Sequence, residues 1–196
     1  MELSKAIQKR HSVRSFEKKK VPRSVLKSLI KSAIKAPSAS NRQPWIFYVV
    51  ETAAKRDEIA QVLSDTLNVF KKDIEKKPKK IQTVMCEFYS NLGEAQNLIF
   101  AFRKKNKNES PHIYPNDIAS ISCAFENVML SAVEKGFGTC WVGSFKDPKA
   151  EAKLKNILSI PKDEDLVASL VIGYPAKDFK PLKRRKKKMS EVLKFV

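Results

Sequence analysis

Four short runs rich in β-branched and aromatic residues stand out along the chain: Trp45–Val50, Leu98–Phe102, Phe137–Val142 and Leu166–Ile172. Between them lie longer stretches whose apolar residues recur every three to four positions, the spacing of a helix with one buried face. Short strands separated by helices fit neither a bundle nor a sandwich. They need a central sheet with helices packed on both faces. The pattern leaves an α+β and an α/β arrangement both open.

The helical segments are bounded by ordinary signals. Glu2–Lys9 carries Leu3, Ala6 and Ile7 on one face, and Arg10–Phe16 then reads as extended chain. Pro22 opens a second helix with Val25, Leu26, Leu29, Ile30, Ala33 and Ile34 in its stripe, which stops before Pro37. Ser38–Gln43 is a polar loop leading into Trp45–Val50, read as a buried strand. Ala54–Leu67 is predicted helical. Residues 68–97 read as lysine-rich helix interrupted at Pro78, a cover over a site, and Lys104–Pro115 as a polar loop. Asp117–Lys135 is a long helix stopped by Gly136, and Ala150–Leu158 a shorter one ending near Pro161.

At 196 residues the chain suits one domain, taken as residues 1–175, with a basic extension over 176–196. No apolar run approaches the roughly 18–20 residues that cross a bilayer. The opening MELSKAIQKRHS lacks a signal-peptide core, and Cys86, Cys123 and Cys140 are too few and too irregular for a disulfide framework. A cytoplasmic protein is expected, with no membrane partner. Two histidines, His11 and His112, do not make a multi-histidine metal site in one chain, so no metal is expected. The net charge of +18 attracts anions. Lysine supplies 31 of the 39 basic residues, which fits a solvated skin better than arginine-led base recognition, so nucleic acid is not the expected partner.

Four stretches carry chemistry. In Arg10-His11-Ser12-Val13-Arg14-Ser15-Phe16, alternation puts Arg10, Ser12 and Arg14 on one side of an extended chain. Two guanidinium forks around a hydroxyl suit a phosphate monoester, and the same segment reads equally as an exposed helix exit in a basic protein. Ala36-Pro-Ser-Ala-Ser-Asn-Arg-Gln-Pro-Trp45 sets short polar side chains between prolines, at the edge of a strand where a flat ligand could approach. Gly143-Ser144, after the third strand run, offers unhindered backbone N–H groups. Lys183-Arg184-Arg185 is a further donor cluster, or a solvated tail.

In this order and spacing, the Arg-His-Ser-x-Arg-x-Phe, Pro-Ser-x-x-Asn-x-Gln-Pro-Trp and Gly-x-Gly-Thr-Cys-Trp-x-Gly segments, the last preceded by Glu126-Asn127, resemble the nitroreductase family of FMN-dependent oxidoreductases. The resemblance spans nearly the whole chain. It implies an α+β fold, a central mixed β-sheet flanked by helices, in an intertwined homodimer with FMN at the subunit seam and a C-terminal extension that wraps the partner. It implies that Arg10, His11 (through its backbone) and Ser12 hold the phosphate and ribityl chain, helped by Lys183 or Arg185. Arg14 would lie at the N1–O2 edge of the ring and act electrostatically in catalysis. Pro37, Ser38, Ala39 and Asn41 would come from the second subunit, and Gly143 and Ser144 would put N–H groups near N5 and O4. Position 39 often carries a hydroxyl in the family and is alanine here, and Asn91 is a weak match for the group near N3. The implied activity is ping-pong hydride transfer from NAD(P)H to a small electron-poor acceptor such as a nitroaromatic or quinone. Relatives that dehalogenate iodotyrosine or fragment FMN form the alternative, and a basic nucleic-acid-associated protein the remote one.

Overall fold

The computed structural model describes residues 1–105, 109–182 and 185–196. Its helices are α1 (Leu3–Lys9), α2 (Arg23–Ala33), α3 (Ala53–Glu75), α4 (Lys79–Asn91), α5 (Ile113–Glu134), α6 (Pro148–Leu158) and α7 (Met189–Val192). Its strands are β1 (Ile46–Val50), β2 (Asn97–Lys104), β3 (Gly138–Trp141) and β4 (Glu164–Gly173). They form one sheet in the order β1-β2-β4-β3, antiparallel along every ladder. The parallel component is a bridge from Ser12 to Thr139, where the N-terminal segment runs along β3.

The period-2 alternation of the strands sorts side chains into two cores. Leu98, Phe100 and Phe102 of β2 face one layer with Ile59 and Leu63 of α3, Phe88 of α4 and Leu154 of α6. Ile99 and Ala101 face the other, with Leu26, Leu29 and Ala33 of α2 and Ile121, Phe125 and Val128 of α5. The register shifts once, because Ala101 pairs with Ala168 but Phe102 with Leu166. Val167 is the extra residue. The bulge lets Leu166 join the α3 side while Ala168, Leu170 and Ile172 stay on the α5 side.

Three expectations change in the structure. The helix expected to end at Leu67 runs to Glu75, because the stripe Ile59, Val62, Leu63, Thr66 continues to a buried Ile74 beneath the lysines. The loop expected through Pro115 ends sooner. The α5 helix starts at Ile113 and holds Pro115 in its first turn, where no N–H partner is required. The Trp45–Val50 run is an edge strand, half-buried except at Val50, rather than a buried one.

Candidate functional site

The N-terminal segment is held by its backbone. Val13 N–H donates to Thr139 O (2.9 Å), Phe16 N–H to Gly93 O (2.8 Å) and Glu17 N–H to Tyr174 O (2.9 Å). Val13 and Phe16 point into the core. Two glycines make this approach possible. A Cβ on Gly138 would stand 2.6 Å from Val13 Cγ2, and one on Gly93, which also has φ +59°, would stand 2.2 Å from the carbonyl oxygen of Arg14. Neither position tolerates a side chain without moving the segment.

Fixed in this way, the segment leaves His11 and Ser12 exposed and Arg10 and Arg14 half-exposed. The two arginines differ. Arg10 Nε lies 3.3 Å from Glu126 Oε1 of α5, so the Glu126 carboxylate serves as an ion-pair partner within the chain. Arg14 reaches only the Ser12 carbonyl, at 3.4 Å, and has no carboxylate partner among the described residues.

The Pro37–Gln43 loop also rests on α5. Ala39 N–H donates to Ser120 Oγ (3.3 Å), and Arg42 grips Asp117 through Nε and Nη2, each at 3.3 Å. Inside the loop, Ser38 Oγ accepts from Gln43 N–H (3.1 Å) and Asn41 Oδ1 from Gln43 Nε2 (3.1 Å), while Pro37 is exposed. One helix therefore carries both the loop and the Arg10 partner. Six residues separate Ser120 from Glu126, a rise of about 9 Å.

A second convergence lies at the C-terminal end of α4. Tyr89 OH hydrogen-bonds Ser144 Oγ, and four residues later Gly93 meets Arg14. That turn thus joins the Arg14 segment to the turn after β3. Gly143 and Ser144 lie in this turn, whose bonds run from Lys146 N–H to Gly143 O and from Asp147 N–H to Ser144 O. The N–H groups of Gly143 and Ser144 have no acceptor among the described residues. Gly143 has open space where a Cβ would stand. Asn91 spends its side chain on Gly93 N–H (2.9 Å) and Glu94 Oε1 (3.0 Å), which occupies the atoms expected near N3.

In the tail, Lys183 lies outside the described residues. Arg185 is engaged by Glu191, at 3.1 and 3.2 Å, far along the chain from the other donors. Trp141 packs edge-on against Phe125 at 5.3 Å.

Reading the sequence alone missed Tyr89, Gly93 and the Arg42–Asp117 pair. Gly93 had a signal, a lone glycine after a helical stripe, which marks a helix stop or a close backbone approach. The other two had none, since a tyrosine on a helix and an arginine in a polar loop are ordinary there.

Residues 7–174 match the family model described as Nitroreductase family. An Archaeoglobus fulgidus protein provisionally named NADH dehydrogenase/NAD(P)H nitroreductase is 28% identical over 180 residues, which cover 91% of this chain and 89% of that protein. Iodotyrosine deiodinase from Hydra vulgaris is 27% identical over 195 residues, covering 94% of this chain and 69% of the deiodinase. A solved BluB-like flavoprotein from Clostridium difficile 630 is similar over 100% of this chain and 99% of its own, with a TM-score of 0.75 and 27% identity. A family match over most of the length, on a sheet whose edge is closed by the motif-bearing N-terminal segment, makes this chain a member of the nitroreductase family.

Proposed function

We propose that this chain is an FMN-dependent oxidoreductase that carries hydride from NAD(P)H to a small electron-poor acceptor, a nitroaromatic or a quinone. The observation that carries this reading is Arg14. It is a guanidinium on a backbone locked between Gly93 and Gly138, with no carboxylate to neutralise it among the described residues. The donor set fits the cofactor. Ser12 is exposed, Arg10 is engaged through Nε only, and two N–H groups at Gly143 and Ser144 lack acceptors.

Bound FMN supplies a ring that takes up hydride from the nicotinamide and gives it to the acceptor. The residues of the chain bind and bias that ring. Arg10, His11 (through its backbone) and Ser12 hold the phosphate and ribityl chain. Arg14 would place a fixed positive charge at the N1–O2 edge, where reduction builds negative charge, and so favour the reduced ring. Gly143 and Ser144 would offer N–H groups to the N5–O4 edge. Pro37, Ser38, Ala39 and Asn41 would reach the ring from the second protomer, and Lys183 and Arg185 stay candidates for the phosphate.

The working unit is a homodimer in which residues 176–196 wrap the partner. Two features support this. Met189, Val192, Leu193 and Phe195 are exposed on the tail. The outer edge of β1 has no strand partner among the described residues. No helix of the described residues is long and apolar enough to cross a membrane.

The decisive experiment is FMN reconstitution of the purified protein, followed by anaerobic reduction with NADH and with NADPH and reoxidation by nitroaromatic and quinone acceptors. Flavin uptake and turnover are expected. A protein that stays colourless after incubation with FMN would falsify the proposal. Similarity to a deiodinase over 94% of the chain supports a second reading, reductive dehalogenation, so a halogenated tyrosine belongs in the same panel.

A further inference from the structure

The Pro37–Gln43 loop takes a shape its residues do not favour. Ser40, Asn41 and Gln43 all adopt left-handed backbone angles, with φ of 50°, 53° and 47°. Of these only asparagine accepts that region readily. Such a run persists when its surroundings over-determine it. The neutral restraining bonds are Gln43 N–H to Ser38 Oγ, Gln43 Nε2 to Asn41 Oδ1, Asn41 N–H to Ser38 O and Arg42 N–H to Ala39 O within the loop, and Ala39 N–H to Ser120 Oγ of α5. One restraint is charged and anchored in the core. Arg42, itself right-handed (φ −68°), sits between the left-handed Asn41 and Gln43 and places its fork on both oxygens of Asp117 at 3.3 Å. The Asp117 side chain is 2% exposed, whereas that of Arg42 is 39% exposed.

Asp117 does not depend on Arg42 for its charge balance. Its Oδ2 lies 3.2 Å from Nε of Arg103, itself 1% exposed, and Arg103 in turn meets Glu109. The sequence of charges Arg42–Asp117–Arg103–Glu109 alternates in sign and links the loop, α5, β2 and the segment that follows β2. Within it Arg42 contributes geometry. A planar bidentate fork sets both the position and the orientation of the backbone that bears it.

We propose that Arg42 and Asp117 are positioning residues, a clasp that holds the Pro37–Gln43 loop in its left-handed shape before any flavin arrives. The clasp raises FMN affinity by removing the ordering cost from the binding step. The consequence for FMN rests on the functional reading above. The shaping of the loop does not.

The test uses the full chain and two variants, Arg42→Gln and Arg42→Lys, which leave the buried Asp117–Arg103 pair intact. Amide hydrogen exchange is followed in the flavin-free protein, and FMN affinity by fluorescence quenching. In Arg42→Gln, exchange at residues 38–43 should rise about tenfold or more, with α5 and the sheet unchanged. FMN affinity should fall about tenfold, and Arg42→Lys, with one donor group in place of a fork, should recover part of both. Unchanged exchange in the loop overturns the clasp, as does faster exchange spread evenly over α5 and the sheet. A loosened loop with unaltered FMN affinity overturns the positioning role. A wild-type protein that takes up no FMN sinks the functional reading instead, and the exchange measurement still decides the clasp.

Discussion

At the scale of single residues, the two arginines of one motif have different surroundings and should fail differently. Arg10 shares its charge with Glu126, while Arg14 keeps its own. Replacing Arg14 by alanine should leave most FMN binding in place and slow reduction by NAD(P)H about 10- to 100-fold, the scale of losing one preorganised charge at a reacting edge. Replacing Arg10 should chiefly weaken FMN retention, by about tenfold or more, as expected for a charge-assisted bond to phosphate. Stopped-flow reduction together with FMN titration separates the two. Equal, unimpaired behaviour of both variants would contradict the placement. Gly93 and Gly138 belong to this scale as well. They let a backbone carry the arginines at a distance that any side chain would forbid.

At the scale of elements, the sheet is tied across its width by side chains as well as by ladders. Tyr48 of β1 donates to Glu164 Oε2 of β4 at 2.9 Å, passing over β2. Burial, and then the bond to Glu164 and its negative charge, raise the Tyr48 hydroxyl above its ordinary pKa. The folded chain therefore keeps a proton that the unfolded chain releases above pH of about 10. This contribution is complete below that pH and is lost as pH rises through the folded value. Lys105 follows the same sign, raised by its bond to Asp165. Tyr48→Phe should cost about 1–2 kcal/mol near pH 8, because a buried carboxylate loses a donor. It should also flatten the alkaline decline, so the gap to wild type narrows above pH 10. Denaturant melts at both pH values measure this, and a gap that widens with pH would refute it.

At the scale of the whole molecule, the two edges of the sheet are treated differently. The N-terminal segment bridges to β3, whereas β1 ends the sheet with an open ladder of five mostly apolar residues. An uncovered edge of this kind invites pairing with another chain. Under the proposed dimer, deleting residues 187–196 should convert the protein to monomer and lower FMN retention with it, as read by light scattering and flavin content. The measurement needs about 0.15 M salt, where the Debye length near 8 Å screens repulsion between two strongly basic subunits. A truncated chain that stays dimeric would refute the wrapping role.

Local pattern was enough for the four strands, the longer helices and their order, because periods of 2 and 3.6 record only whether each residue meets a core; the short α7 in the basic extension carried no such pattern. The existence of the second core, for instance, follows from the stripe of Leu26, Leu29, Ile121, Phe125 and Val128. Turn chemistry likewise identified the polar loop at 38–43. Pairings between distant residues were another matter. Glu126 on Arg10, Asp117 between Arg42 and Arg103, Tyr89 on Ser144 and Gly93 beneath Arg14 each join positions whose neighbourhood depends on how helices pack on the sheet. The same holds for charge. Sequence counts Arg10 and Arg14 as equal cations, and only the packed fold neutralises one and leaves the other to act, since an electrostatic partner is set by distance in space and not along the chain.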